Sequence, residues 1–419
     1  MRRKCIEGAL ANLPALKESE IVTKSYEFSL ITPMFGGDVE SFKINESAPV
    51  RSQAVKGQLR FWWRAMQGYT DKAELLQAET EIWGGSLAGK KCQSKVKVSV
   101  ANFKGLKDSP IDKGYDKNGR PRRIESDILS PYVLFPVLDK EDVKLLCEAK
   151  FTLTISYPKE TENVKDMEKE VMGALGLWTL FGGVGGRTRR GCGSVYSEKL
   201  LKELNIDSIG KLKEFICDSG CGDPKPLEYA RIKGATLYHS KATASIRDLQ
   251  QKYGAYRQDR TPAKPGENHP GRSYWPEPDA IRRIKGLCAE LHEPVHPDGV
   301  WFPRALFGLP IMTHYNTQNN GRGDPSGTIK LEPVDASGKP QQRWPSPYFI
   351  KQIKLGTNVY NIMLVMNQSF PKGLVLDGRP VPAGGLPSDS RGKIMNTKHP
   401  LDGRSIEKAL ADALGLKEA

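Results

Sequence analysis

No run of apolar residues in this 419-residue chain approaches the length of a membrane span; the longest candidates are "YVLFPVL" from residue 132 and "NIMLVM" from 361. The basic start "MRRKCIEGALANLPALKE" lacks the unbroken apolar core of a secretory leader, because Glu7, Asn12 and Pro14 interrupt it. Cysteines are few: seven, an odd number without a regular framework, which excludes a disulfide scaffold and suits a reducing cytoplasm. Acid is in deficit. Against 63 lysines and arginines stand 49 aspartates and glutamates, a formal net charge of +14. That excess favours a polyanionic partner through counterion release. With 38% hydrophobic and 27% charged residues, the composition is that of a folded globular protein.

Metal chemistry finds little support. "HEPVH" at 292–296 has the letters of the zinc pattern H-E-x-x-H. Pro294 inside it and Pro297 after it break the helix that would bring both histidines onto one face, and no third ligand stands out. Cys217 and Cys221 have no matching second pair. No metal and no cofactor is expected.

The first half is legible. "YEFSLI" at 26–31, "KVKVSVA" at 95–101 and "FTLTISY" at 151–157 alternate as half-buried strands do. "SQAVKGQLRFWWRAMQ" at 52–67 reads as a helix with Ser52 as N-cap, and 164–181 as a second helix with Val171, Leu175 and Trp178 on one face. Residues 105–130 are polar and read as a long exposed insertion, and "GSVYS" from 193 as a last strand. The order β-α-β, insertion, β-α-β is that of an α+β, ferredoxin-like (RRM-like) βαββαβ domain, a fold many RNA-binding modules share. The second half offers strand-like pieces at 229–239, 328–332, 348–354 and 359–366, a helix starting at Asp279 and a last helix near 404–415, with long loops between. A division into residues 1–215 and 216–419 is expected, the second half a degenerate copy of the first with long loop insertions.

Three segments are candidate sites. In the first helix Val55, Leu59, Trp62 and Met66 form the core face, while Lys56, Arg60 and Arg64 follow at i, i+4 and i+8. Like charges at that spacing repel by a few tenths of a kcal/mol per pair. No acid between Ser47 and Gly68 offsets them, so an anionic ligand is expected, with Arg51 at the helix start adding to the site. Trp63 is expected to pack rather than stack on a base. The second segment is "FGGVGGRTRRGCGSV", 181–195. It fails the P-loop template, since it follows a helix and has no Lys-Ser or Lys-Thr. What remains is backbone N–H groups free to approach phosphates, carried by Gly183, Gly185, Gly186, Gly191 and Gly193, with Arg187, Arg189 and Arg190 to pair with them. The third is "HPGRSYWPEPDAIRR", 269–283, where Arg272 lies beside Tyr274 and Trp275. A proline-clamped aromatic plug is preferred there over base stacking, and Asp279 reads as an N-cap.

For catalysis nothing converges. Cys192 sits among arginines that would lower a thiol's pKa, yet no base partner can be named, and a small structural cysteine is preferred. Asp108, Asp112, Asp116 and Asp127 lie in or beside the insertion, where solvated loop acids are the default and metal-assisted RNA cleavage is the alternative.

The combination "LITPMFGGDVESF…APVRSQAVKGQLRFWWRAM" and "GGVGGRTRRGCGS", with "GRSYWPEPDAIR", "FPRALFGLPI" and "RWPSPYF", resembles the RAMP superfamily of CRISPR effectors. Within it the match is to the first-numbered RAMP subunits of type III-B, Cmr-type complexes, over about residues 26–370. The resemblance implies two ferredoxin-like domains, other Cmr-complex subunits as partners, and a place at the 3′ region of the guide crRNA. It implies help in capturing target RNA in antiviral defence, without being the main nuclease. The alternative is a metal-dependent endoribonuclease of the same superfamily. It carries RNA binding onto Arg51, Lys56, Arg60, Arg64, the glycine loop and its arginines, and onto Arg272 and Arg343.

Overall fold

The structure, a computed structural model, describes residues 20–40, 42–87, 89–260, 273–287, 300–315, 325–335, 337–382 and 404–419. β1 (Ile21–Leu30) points Tyr26 and Phe28 inward and Thr23, Ser25 and Glu27 outward, the period of two of a half-buried strand. After the short β2 (Met34–Phe35) comes α1 (Ser52–Met66), which buries Val55, Leu59, Trp62 and Met66 as its spacing predicts. Trp63 is buried too, its indole N–H donated to Glu170 at 2.6 Å, so it packs. Ser52 is not the N-cap. Arg51 holds that position with extended dihedrals, and the Ser52 hydroxyl instead accepts the Val100 N–H at 3.0 Å, pinning the helix to the next long strand.

α2 (Lys72–Trp83) and the hairpin β3 (Gly85–Leu87)–β4 (Lys90–Cys92) follow. The apolar residues of α2 are diluted by charge, so periodicity does not announce it. β5 (Lys97–Pro110) continues well into the expected insertion, and β6 (Asp112–Tyr115) with β7 (Pro121–Glu125) forms a hairpin. The Asp116 carboxylate organises its turn by accepting the N–H groups of Asn118 and Arg120. Then come α3 (Pro131–Leu134), β8 (Lys144–Pro158), α4 (Met167–Phe181) and, past the glycine loop, β9 (Val195–Tyr196). The strands lie in the order β9-β1-β8-β5, all antiparallel, with β2 added at the end of β8. That is a ferredoxin-like βαββαβ sheet.

α5 (Glu198–Glu203) and α6 (Ile209–Ser219) connect the halves, and residue 215 falls inside α6. The second half begins with β10 (Arg231–Lys241) and α7 (Ile246–Arg257), followed by α8 (Glu277–Ile284), β11 (Ile311–Tyr315) and β12 (Gly327–Val334). It closes with β13 (Tyr348–Leu355), β14 (Asn358–Asn367), β15 (Gly373–Leu376), β16 (Arg379–Pro380), α9 (Ile406–Leu414) and β17 (Lys417–Glu418). The order β17-β10-β14-β13 repeats the first sheet strand for strand, again antiparallel. The expected α+β pair of ferredoxin-like units is therefore present. Much of what reads as long loop is a third sheet, β11-β12-β15-β16. α8 starts at Glu277 behind Pro276, not at Asp279, whose carboxylate instead meets Arg282 at 3.0 Å in the first turn.

The two units share their core. On β13, Phe349, Ile353 and Leu355 join the cluster of Trp62, Trp178 and Phe151 from the first half, whereas Tyr348 and Ile350 join that of α7 and α9. The chain therefore stacks sheet, helices α1 and α4, second sheet, helices α7 and α9. The second sheet is buried on both faces, so β13 is buried along nearly its whole length, Lys351 and Gln352 included, and the middle of β14, Ile362–Met366, is a continuous apolar run.

Candidate nucleic-acid interface

The glycine loop leaves the C-terminus of α4 between the two units. Its glycines serve close packing. A Cβ on Gly193, at φ +62, would stand 1.9 Å from the Val184 carbonyl oxygen, and one on Gly185, at φ +77, would stand 2.7 Å from that of Phe35. Its N–H groups are largely occupied: Val184 donates to Gly193 at 2.9 Å, Gly186 to Phe35 at 2.6 Å, Gly193 to Pro33 at 2.8 Å and Ser194 to the Thr32 hydroxyl at 2.8 Å. The expectation of an open row of N–H donors is thus corrected at Gly186, Gly191 and Gly193, whose N–H groups go to the carbonyls of Phe35, Thr188 and Pro33.

Its three arginines divide. Arg189 lies flat over Phe349 (4.7 Å to the ring centroid) and near Phe61 of α1 (5.5 Å), and donates to the Ser346 carbonyl at 3.0 Å. Burial, and secondarily the Arg190 charge, pulls its guanidinium down to about 10, still cationic at neutral pH. Arg190 covers Tyr253 at 4.7 Å and donates to the Tyr348 carbonyl at 3.0 Å and the Ser346 hydroxyl at 3.2 Å. Both clamp the first unit to the start of β13. To reach a phosphate each would forfeit ring and carbonyl contacts of roughly 2–3 kcal/mol. Arg187, in the left-handed region at φ +58, is exposed and has no partner among the described residues.

Arg187 opens into a cleft of about 850 Å³ between the units. Its described lining holds seven arginines, Arg122, Arg123, Arg187, Arg189, Arg190, Arg257 and Arg343, and no carboxylate. They come from hairpin β6–β7, the glycine loop, α7 and the segment before β13. Arg343 is exposed and, among the described residues, unpartnered like Arg187. Arg122 and Arg123 are exposed and paired with the hairpin's own Asp116 and Glu125, at 2.9 and 2.7 Å. Arg257 lies over Phe307 at 4.7 Å. Tyr132, Tyr253, Phe307 and the exposed Phe135 supply aromatic walls. The arginines of hairpin and α7 escaped the sequence reading, since neither segment carries an unusual motif; only topology brings them together.

The α1 stripe is placed elsewhere. Arg60 and Arg64 both meet one carboxylate oxygen of Glu79, at 2.7 and 2.5 Å, and Glu79 is a buried residue of α2. Lys56 donates to the Ser94 hydroxyl at 2.7 Å, and burial with the Arg60 charge lowers its pKa. The stripe is therefore not unopposed: its counter-charge lies on the next helix, outside the window 47–68. Arg51 is exposed and donates to the Gly37 carbonyl at 2.9 Å. None of these four lines the cleft.

Arg272 and "HEPVH" lie outside the described residues. Trp275 is the expected plug, wholly buried, its indole N–H donated to the Tyr256 carbonyl at 2.9 Å. Cys192 is the structural cysteine: burial pushes its thiol up to about 12, the reverse of activation by the arginines. Of the insertion acids, Asp108 meets Lys144 at 3.0 Å, Asp116 is held in its turn, and Asp127 approaches Arg247 at 3.8 Å. Among the described residues no three His, Cys, Asp or Glu side chains stand together as metal ligands would, the Cys217–Cys221 neighbourhood included, and no helix is long and apolar enough to cross a membrane.

Residues 27–196 match the family model described as the RAMP superfamily. Over that span, which runs from β1 through the glycine loop to β9 of the first ferredoxin-like unit, the chain is similar to the RAMP superfamily. A curated relative, the CRISPR system Cmr subunit Cmr1-1 of Pyrococcus furiosus, is 28% identical over 180 residues, 41% of this chain and 46% of the relative. The match thus spans about half the length of that relative. Among solved structures, the crystal structure of Cmr1 from Pyrococcus furiosus in its apo form is 17% identical, with 95% of this chain and 98% of that chain covered and a TM-score of 0.48. A chain in the cryo-EM structure of the type III-B Cmr-beta bound to cognate target RNA is 15% identical, with 83% and 95% covered and a TM-score of 0.48. The matched segment contains the glycine loop and the hairpin arginines of the cleft; α7 and Arg343 come from outside it.

Proposed function

We propose that this chain is an RNA-binding subunit of a type III-B, Cmr-type CRISPR effector complex, in which the inter-unit cleft grips the phosphate backbone of RNA. In this reading it holds the 3′ region of the guide crRNA beside other Cmr subunits and helps capture target RNA without being the main nuclease. The observation that carries it is the cleft's seven arginines without a carboxylate in the described lining, two of them free of any described partner. Guanidinium groups bind phosphate bidentately, and backbone contacts position an RNA without reading its sequence. Sequence would be read by pairing between guide and target, as in other RNA-guided effectors. The match of residues 27–196 to the RAMP superfamily and the 28% identity to a Cmr subunit over 180 residues support the assignment. The test is RNA affinity across a salt series for the Arg187→Ala, Arg343→Ala double variant. Two lost phosphate contacts are expected to weaken binding roughly 30-fold and to flatten the log-log salt slope by about 1.4 for a single strand. Unchanged affinity and slope would reject the cleft as the RNA site.

A further inference from the structure

We infer that the cleft takes unpaired nucleotides, and that Phe135 is the platform on which one of their bases stacks. This rests on the reading of the cleft as an RNA site. Phe135 is 69% exposed although it belongs to a tightly fixed turn. Its neighbours Leu134 and Val137 are fully buried, Ser130 caps the preceding helical turn, and the Leu138 N–H donates to the Phe135 carbonyl at 3.1 Å. The main chain therefore holds the ring out in a fixed place while its neighbours anchor the core. The ring borders the same cleft as Arg187 and Arg343.

An exposed aromatic face beside cations that have no partner among the described residues suits a ligand with a flat π surface and an attached anion, which is a nucleotide. An acidic peptide would satisfy the arginines and leave the ring without a counterpart. Except at its two ends a duplex hides its base faces within its own stack, so along a strand only an unpaired base can lie on Phe135. At about 850 Å³ the cleft accommodates a ligand of a few nucleotides rather than a long helix.

The experiment titrates the full chain into two synthetic RNAs of equal length, one single-stranded and carrying 2-aminopurine, the other a blunt duplex. Wild type, Phe135→Ala, Phe135→Tyr and the Arg187→Ala, Arg343→Ala double variant are compared. Thermal melting checks that each is folded, and the exposed ring makes Phe135→Ala safe in that respect. The inference expects preference for the single strand, with quenching of 2-aminopurine as it stacks. In Phe135→Ala single-strand affinity drops about tenfold, quenching is lost and the salt slope is unchanged, while Phe135→Tyr restores both affinity and quenching. Duplex bound as tightly as single strand, or single-strand affinity unaltered in Phe135→Ala, overturns it. If the arginine variant still weakens binding in that case, the RNA reading survives alone; if the arginine variant is also silent, both fall.

Discussion

Two groups of arginines look alike along the chain and differ in the fold. Arg60 and Arg64 on α1 lie in a window free of acids, as do Arg187, Arg189 and Arg190 in the glycine loop. On α1 the missing counter-charge arrives from α2 as Glu79, and the stripe becomes a half-buried ion cluster. At the loop no carboxylate arrives from the described residues. Ring faces and main-chain carbonyls of the second unit take up Arg189 and Arg190, and Arg187 is left to face the cleft. An acid-free window thus identifies cations whose partners lie elsewhere. Whether that partner is a carboxylate, a ring or a ligand is decided by topology.

The comparison breaks most visibly at Glu79. Replacing it by Ala leaves two half-buried guanidinium groups without their shared carboxylate, and the loss of stability should be about 3 kcal/mol, read by denaturant unfolding, with RNA affinity per folded molecule unchanged. Arg189→Ala should cost about 2–3 kcal/mol by loosening the clamp between the units. Arg189→Lys should not restore it, since an ammonium cannot lie flat between Phe61 and Phe349 while bonding Ser346. Arg187→Ala and Arg343→Ala, by contrast, should each change stability by less than about 0.5 kcal/mol, because neither side chain has a hydrogen-bond or ion-pair partner among the described residues.

The smallest effect at neutral pH concerns Lys351, which is fully buried on β13 and donates to the Gly182 carbonyl at the C-terminus of α4. Burial pulls its ammonium down to about 7 from an ordinary 10.5. Between those two values the unfolded chain holds the proton and the folded chain does not, so stability should rise with pH across that window. Lys351→Met should remove the rise, as measured by unfolding at a series of pH values.

Most of the first unit was legible because β1, β8 and α1 bury one face each, which imprints periods of two and 3.6 on the sequence, and α4, buried all round from Ala174 to Phe181, is long and apolar enough to read as a helix. The second was less so for a physical reason. Its sheet is buried on both faces, which erases alternation in β13, and its insertion breaks the βαββαβ order. Ser52 is not the N-cap because its hydroxyl satisfies a tertiary partner, the Val100 N–H, that local rules do not see; Asp279 is not the cap because α8 already begins at Glu277, behind Pro276, which leaves its carboxylate to the local i+3 pair with Arg282. Of the cleft's arginines, Arg187, Arg189 and Arg190 were legible in the glycine loop and Arg343 only through the family resemblance. The hairpin and α7 arginines were not, as their neighbourhood exists only once the two units pack.

The most direct test sets the two arginine groups against each other: RNA affinity and its salt slope for Arg187→Ala, Arg343→Ala beside Arg60→Ala, Arg64→Ala, each corrected for folded fraction. The account predicts weaker binding and a slope flattened by about 1.4 in the cleft variant alone. The same loss in the α1 variant, with the cleft variant at wild-type affinity, would contradict it.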